Sequence, residues 1–440
     1  MSKVMPLISV NCGKIRPTSV EDYVKAGGFA GLKKALKMQP LAIIEEIKKA
    51  KLMGRGGAGY PAGSKWQQMY EIEHTPKYIV CNADEGEPGT FKDKLLLEKD
   101  PLRVIEGMII AGYVFSSRDG YIYIRGEYAA IQDIFQKAID NAVKAGYLGE
   151  NILGSGYSYN IHVMTGAGAY VCGENSAMLN SLEGKAGRPR VKPPHLAEVG
   201  LFQKPTLVNN VESFANVPTI LTLGAEKYLS VGTAESGGTK LVCLSGHVAK
   251  PGVYEVPFGV TIRDLIYDEE LGGGLSSHKK LKFFHMGGQS GPCGVLTQLD
   301  TDYCYKALRS NGLSVGSGAI VVLDESVCVI DYLKCVTEFF IHESCGKCTP
   351  CREGNKQLYA ILDKFSKGTA TAEDYTQLKR LSELLAKASF CGLGQAAATA
   401  LNTCLKHLRA EFEAHIAGKC PAGVCFANQE TESGEKDGKH

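Results

Sequence analysis

The chain has no charge excess of either sign: 49 lysines and arginines stand against 47 aspartates and glutamates in 440 residues, a net charge of +2. A surface that holds a polyanion carries a marked basic excess, so nucleic acid is excluded as a partner. An apolar run long enough to cross a bilayer is also missing. The most apolar stretch, residues 104–115, is interrupted by Glu106 and falls well short of the roughly 20 residues a spanning helix needs. The opening residues, Met1-Ser2-Lys3-Val4-Met5-Pro6-Leu7, have neither the charged start nor the apolar centre of a secretion signal. No segment repeats. Without an export signal, the 15 cysteines read as metal ligands and buried thiols and not as disulfides. A soluble protein of the reducing cytoplasm is expected, with two to four domains at this length.

Against these absences stands one dense motif, Cys345-Gly346-Lys347-Cys348-Thr349-Pro350-Cys351, with a fourth thiol at Cys391. A Cys-x2-Cys-x2-Cys run brings three thiolates to one corner of a cubane, and a distant fourth completes the set for a [4Fe–4S] cluster. Zinc also takes four thiolates, but its sites usually pair two Cys-x2-Cys knuckles. The spacing therefore points to electron transfer.

Residues 40–52 have helical spacing with Pro40 at the start, and they run into Gly54-Arg55-Gly56-Gly57-Ala58-Gly59. A short strand over 78–81 leads to the acidic loop Asn82-Ala83-Asp84-Glu85-Gly86-Glu87-Pro88-Gly89. Further alternation over 121–125, 130–145, 159–164 and 174–182 predicts an α/β fold, a mainly parallel sheet flanked by helices. Near Ser236-Gly237-Gly238 the composition shifts to short strands and turn glycines, a small α+β module. After Asp331 the pattern is helical to Ala417, with the cluster cysteines between and at the ends of helices. The expected division is 1–236, 237–325 and 326–427, followed by a polar, disordered tail over 428–440.

The Gly54 loop satisfies G-x-G-x-x-G, but a helix precedes it and Pro61 closes it, so it lacks the strand–loop–helix context of a dinucleotide fingerprint. Its glycines still allow close backbone approach to something flat or phosphorylated, with Lys65 just downstream as a partner; a tight turn between packed elements is the alternative. The second cluster, Gly166 to Asn175, follows a strand and precedes a helix, an arrangement in which amides and a helix dipole face an anion. Asn209 and Asn210 add amides at a strand end. Asp84, Glu85 and Glu87 suit the hydroxyls of a ribose or ribityl chain; a solvated acidic surface is the alternative.

Near the end, His415, Cys420 and Cys425 supply three of zinc's four ligands, with Cys328 or Cys335 available as the fourth.

Taken together and in order, the segments 54–65, 82–93, 166–184, 209–218 and 343–354 resemble the flavin-bearing, NADH-oxidising (51 kDa type) subunit of complex I. Similar subunits occur in soluble NAD-linked or electron-bifurcating hydrogenases and formate dehydrogenases, to which this chain is nearest in type. The resemblance implies a Rossmann-like FMN domain, a ubiquitin-like (SLBB) domain and a helical domain with one [4Fe–4S] cluster. It implies that FMN is held by Gly54, Arg55, Gly56, Gly57, Lys65, Asn82, Asp84, Glu85, Asn209 and Asn210, with Gly173, Glu174 and Asn175 also among the cofactor-binding residues. NAD(H) or NADP(H) would then stack on the flavin near Glu87, taken as catalytic, and Lys192. The family's Gly-Glu-Glu is Gly173-Glu174-Asn175 here, and its adenine-stacking phenylalanines are Tyr60, Gln68 and His195. Weaker discrimination against NADPH is expected, or, in an alternative reading, a relay subunit that binds no nucleotide. The terminal His/Cys segment is similar to that of bifurcating-type subunits, where the fourth zinc ligand precedes the cluster helices; this favours Cys328. Partners implied are a thioredoxin-like [2Fe–2S] subunit and a further iron–sulfur or catalytic subunit, since this chain begins near the FMN domain and stops after Cys425.

Overall fold

The computed structural model describes residues 3–425; the tail expected over 428–440 lies outside the described residues. Four strands, β1 (Tyr78–Ala83), β2 (Asp119–Ile124), β3 (Asn160–Thr165) and β4 (Thr206–Asn210), form an all-parallel sheet in the order β3-β2-β1-β4. Parallel strands are covered on both faces, which is why β1 reads as an apolar run. Ile79 and Cys81 join the core under the helices Pro101–Val114 and Val211–Leu223, while Val80 and Val208 pack on the other face against Asn175–Leu182. The helix expected over 40–52 ends at Lys49, because the chain turns there and Lys51 takes a left-handed φ of 48°.

The apolar stretch at 104–115 is a core helix, buried along nearly its whole length. Its Glu106 is neutralised structurally and not by solvent: it accepts from Tyr23 Oη (2.6 Å), Phe29 N (2.9 Å) and Leu32 N (2.9 Å), as a buried carboxylate requires. Gly107 lets the neighbouring Val211–Leu223 helix approach; a Cβ there would lie 2.1 Å from Phe214 O. Among the described residues no helix is long and apolar enough to cross a membrane.

A second sheet follows: β5 (Thr239–Gly246), β6 (Gly252–Pro257), β7 (Leu281–Met286), β8 (Cys293–Gly294) and β9 (Ala319–Asp324), ordered β6-β5-β9-β7-β8. Only β5 and β9 pair in parallel. Five longer helices, Val329–Glu343, Thr349–Ser366, Ala372–Ala388, Thr399–His407 and Arg409–Ile416, then close round a separate core.

The two sheets are joined by a buried charge network. Glu212 contacts Lys92 Nζ at 3.0 Å and Lys240 Nζ at 2.6 Å, and accepts from Leu241 N at 3.0 Å. Burial pushes the Lys240 amine down to about 8 even beside Glu212. Removing one member of such a set typically costs about 3–5 kcal/mol.

In the first sheet β1 connects to β2 on one side, whereas β4 lies on its other side. The carboxyl ends of β1 and β4 therefore flank the switch point at which open α/β sheets bind ligands. Asn82 and Asn210 sit in register across it.

Candidate functional site

The carboxyl ends of β1 and β4, the Gly54–Tyr60 loop and the Gly287–Gly291 turn of the second sheet enclose a cleft of ≈ 490 Å³, within the usual range for a cofactor. Gly54, Arg55, Gly56, Gly57, Lys65, Asn82, Glu87, Gly173, Glu174, Asn175, Lys192, Asn209 and Asn210 all line it. Asp84 and Glu85 line an adjoining recess of ≈ 100 Å³ that shares Gly56, Asn82, Glu87 and Asn210 with the cleft.

The glycine loop is pinned at its base, where Gly54 N donates to Tyr60 O (2.9 Å) and Tyr305 Oη donates to Gly54 O (2.9 Å). Gly57 needs its φ of +130°, which side chains rarely adopt. The loop opens directly into the helix Ala62–Tyr70. That helix presents Lys65, whose Nζ donates to Val208 O at 3.0 Å, one bond from a group with three donors. Burial, with Lys192 nearby, lowers its pKa to about 8.

Several residues expected to face the cofactor do other work with their side chains. Arg55 contributes backbone only: its guanidinium is fully buried in the seam between the sheets, over the Phe258 ring (4.6 Å) and donating to Gly237 O (3.1 Å). The Glu85 carboxylate accepts from Asp93 N (2.8 Å) and Lys94 N (2.9 Å) at the start of the helix Lys92–Lys99; burial and Asp93 push it up to about 7. The anion site expected ahead of Asn175–Leu182 is filled by the chain itself. Glu174 caps that helix, accepting from Ser176 N (3.0 Å) and Ala177 N (2.9 Å), and pairs with Lys192 Nζ at 2.9 Å. Asn209, oriented to accept from Trp66 Nε1 (2.9 Å), faces the core. Asn175 accepts from Asn82 Nδ2 at 3.1 Å, and Asn210 donates to Asp93 Oδ2 at 2.6 Å.

Glu87 is buried deepest in hydrogen bonds. It accepts from Tyr170 Oη and from Ser290 N (2.8 Å) and Oγ (3.0 Å), and burial raises its pKa. The sequence assigned no role to Tyr170 or Ser290. The signal for Ser290 was its run Gly287-Gly288-Gln289-Ser290-Gly291, read only as turn glycines. Gly288 is required here: its φ is +93°, and a Cβ would lie 2.1 Å from Glu87 Cγ. At the mouth Gln68 has a role of its own: its Nε2 donates to Tyr60 Oη (2.8 Å), fixing a ring that is 44% exposed.

Of the four cysteines expected to hold the cluster, three stand at two helix starts and Cys345 lies in the loop ahead of the first. Cys348 caps Thr349–Ser366, Cys351 lies in that helix's first turn, and Cys391 caps Gly392–Ala396. Phe390 N points at Cys348 Sγ (3.4 Å), and Ser344 Oγ (3.4 Å) and Asn355 Nδ2 (3.5 Å) at Cys351 Sγ; such donors tune a cluster's potential. Leu393, two residues after Cys391, lines both the cleft and its recess, and it packs, as Cys345 does, against the core that holds Val80 and Val208. The cleft lining thus includes Gly392, the residue after Cys391.

A second set lies apart from the cleft. The ligand atoms of Cys328, His415, Cys420 and Cys425 are all within 4.8 Å of one another, the one such group among the described residues. Cys328 Sγ is 3.3 Å from both His415 Nε2 and Cys425 Sγ, and these neighbours hold its thiol well below the usual range. His415 Nδ1 lies 2.7 Å from Glu411 O, the second-shell bond that leaves Nε2 for a metal. Cys335, the alternative ligand, is exposed on the helix Val329–Glu343 and outside the group.

Comparison with known proteins gives the family and its domains. Residues 47–219 match the Nuo51 FMN-binding domain, 241–289 the SLBB domain, and 331–415 the NADH-ubiquinone oxidoreductase-F iron-sulfur binding region. The chain is 44% identical over 426 residues to the NADP-reducing hydrogenase subunit HndC of Solidesulfovibrio fructosivorans, covering 97% of this chain and 86% of that one. It is 45% identical to the F 2 subunit of the NADH-quinone oxidoreductase of Rhizobium meliloti (strain 1021), covering 91% and 95%. Among solved structures it is similar to NAD+-reducing [NiFe]-hydrogenase in the H2-reduced state (TM-score 0.80, 35% identity), covering 88% of this chain but 64% of that one.

Proposed function

This chain belongs to the family of NADH-quinone oxidoreductase F subunits, and from that premise we propose how its own residues divide the work. It is the flavin- and iron–sulfur-bearing oxidoreductase subunit of a complex of the NADH-quinone oxidoreductase or NADP-reducing hydrogenase type, in which electrons pass from a pyridine nucleotide through FMN. The observation that carries the residue assignment is the continuity of one cleft wall, from Tyr60 at the mouth to Gly392 and Leu393, the residues that follow Cys391.

The cleft fits the flavin by its volume, its backbone cradle at Gly56 and Gly57, an amine in Lys65 with donors beyond Val208, and a buried Asp84 Oδ2 without a hydrogen bond. FMN bound there supplies the exchange between a two-electron hydride and single electrons. Lys65 and Asn82, both in the cleft wall, would hold it there. Tyr60, held by Gln68, is the nucleotide's platform, and the Lys192–Glu174 pair flanks it. Glu87, held by Tyr170 and Ser290, shapes the nicotinamide end and excludes water there. Asn175 puts a neutral amide where a carboxylate would repel a 2′-phosphate, so NADPH is discriminated against less strongly than in complex I. Cys345, Cys348, Cys351 and Cys391 hold the cluster that takes the electrons.

Cys328, His415, Cys420 and Cys425 form a closed structural zinc site, with every position filled by protein. It fixes the terminal segment beside the cluster helices, at the side where partner subunits dock: a thioredoxin-like [2Fe–2S] subunit and a further iron–sulfur or catalytic subunit of a cytoplasmic, electron-bifurcating assembly. The labour divides at 236/237 and 325/326.

Anaerobic stopped-flow with NADH and NADPH tests this reading, alongside flavin and iron quantification. Both nucleotides should bleach the flavin and leave a reduced-cluster EPR signal. Bleaching by dithionite but by neither nucleotide would replace it with the relay reading.

A further inference from the structure

Glu87 is received by a turn, Gly287-Gly288-Gln289-Ser290-Gly291, that the second sheet sends to the cleft between β7 and β8. Three of its five residues are glycines. Glycine loses more conformational freedom on ordering than any other residue, so a group outside the turn has to keep Ser290 in place. We propose that His285 is that group: a positioning residue that fixes the turn on Glu87, and through it the seating of the nicotinamide, without touching flavin or nucleotide. This rests on the flavin reading above.

His285 stands near the end of β7, opposite Cys293 on β8, buried and outside the cleft lining. Its Nε2 lies 2.9 Å from the carbonyl of Gly291, the residue after Ser290, and its Nδ1 lies 2.7 Å from Tyr332 Oη. A carbonyl only accepts, so Nε2 carries the hydrogen. Burial pushes the imidazole down to about 4, so it is neutral and Tyr332 Oη donates to Nδ1. An apolar side chain would fill the same space at less desolvation cost, but it could not hold Gly291 O. Tyr332 belongs to the helix Val329–Glu343, whose last residue, Glu343, accepts from Tyr170 N at 3.0 Å. Tyr170 Oη in turn donates to Glu87. One helix therefore reaches Glu87 from two sides, through Tyr332, His285 and the turn, and through Glu343 and Tyr170. The far limb of the turn is tied to the helical domain as well, where Cys293 N donates to Thr403 Oγ1 at 2.9 Å.

Amide hydrogen exchange of the full chain without flavin reads the turn directly. His285→Leu should speed exchange over 287–291 by ~10-fold, and His285→Gln, which keeps a donor for Gly291 O, should restore it to within ~3-fold of wild type. In the loaded chain, His285→Leu should lower the limiting rate of flavin bleaching by NADH by ~10- to 100-fold, the scale of a misplaced group, while FMN affinity changes by less than ~3-fold. Tyr332→Phe, which removes one hydroxyl and keeps the ring, should move exchange and bleaching the same way by ~3-fold. Added to Glu87→Gln, His285→Leu should cost less than a further ~3-fold, because both act at one carboxylate. Wild-type exchange over the turn in His285→Leu, a bleaching loss that adds in full to that of Glu87→Gln, or FMN affinity falling in step with bleaching would overturn the proposal. If His285→Leu does not fold, Tyr332→Phe, alone and combined with Glu87→Gln, decides it by the same criteria. Failure of the flavin reading looks different: iron-replete wild-type protein that binds no flavin, with exchange over the turn still dependent on His285.

Discussion

The flavin cleft and the Cys328 group are both polar sites at helix ends, yet one is left incomplete and the other is closed. In the cleft, Lys65 makes one bond of three, Asp84 Oδ2 makes none, and glycines stand where side chains would fill the space. At Cys328 all four ligand atoms lie within 4.8 Å, and the histidine's other nitrogen is taken by Glu411 O. Buried polar groups left unsatisfied are costly, so where a fold keeps them they mark a place for something that comes and goes. A site that satisfies itself marks a staple.

The contrast is broken most completely by Cys348→Ser. An alkoxide ligates iron more poorly than a thiolate, so the reduced-cluster EPR signal should vanish. Electron exit should fall by more than ~100-fold, beyond the cost of losing an outer-shell partner, with flavin still bound. Normal electron exit without the EPR signal would take the cluster off the route.

Lys65→Met probes the incomplete side next. Losing charge-assisted bonds should weaken flavin binding by ~10- to 100-fold, measured by fluorescence quenching of added FMN. The sign with pH follows from burial: Lys65 is charged below about 8, so wild-type affinity should be full below that value and fall as pH rises through it. The Met variant should be flat. A variant that binds FMN as tightly as wild type would return Lys65 to a merely structural role.

Cys420→Ser sharpens the comparison from the closed side. About one zinc per chain should be lost while iron and flavin stay, and turnover should change by less than ~3-fold. Melting should drop by several °C, on the order expected for a few kcal/mol in a chain of this size. Zinc retained in the variant, or flavin lost with it, would erase the distinction between the two sites.

The smallest effect belongs to the mouth. Gln68→Ala removes one hydrogen bond to Tyr60 and should raise KM for nucleotide about 5-fold with kcat nearly constant. A fall in kcat instead would place Tyr60 nearer the chemistry than the mouth.

Much of this was legible in the chain. The apolar run at 78–81 announced a strand of a helix-flanked sheet, and the Cys-x2-Cys-x2-Cys run announced a cluster, because these patterns depend on neighbours a few residues apart; that 104–115 is a core helix was seen only in the fold. The direction of a side chain does not. Arg55, Glu85 and Glu174 belong to motif segments that line the cleft or its recess, but their charged ends turn to the inter-sheet seam and to two helix starts, where orphan amides and a buried aromatic face offered partners that no local pattern records. Gln68 is the converse case: it lacks an aromatic face, and its use is to hold the one beside it.

By itself the sequence determined most element types, their order, the cysteine run that points to a cluster and three of the four members of the Cys/His group near the end, since each is written in short-range spacing. Only the tertiary structure decided that Cys328 and not Cys335 completes that group, that Ser290 and Tyr170 close over Glu87, and that Asp84 keeps an unpartnered oxygen in the recess beside the cleft. Each of these joins residues tens to hundreds of positions apart, or depends on which buried group is left without a donor. That is settled by packing and desolvation once the whole chain has closed.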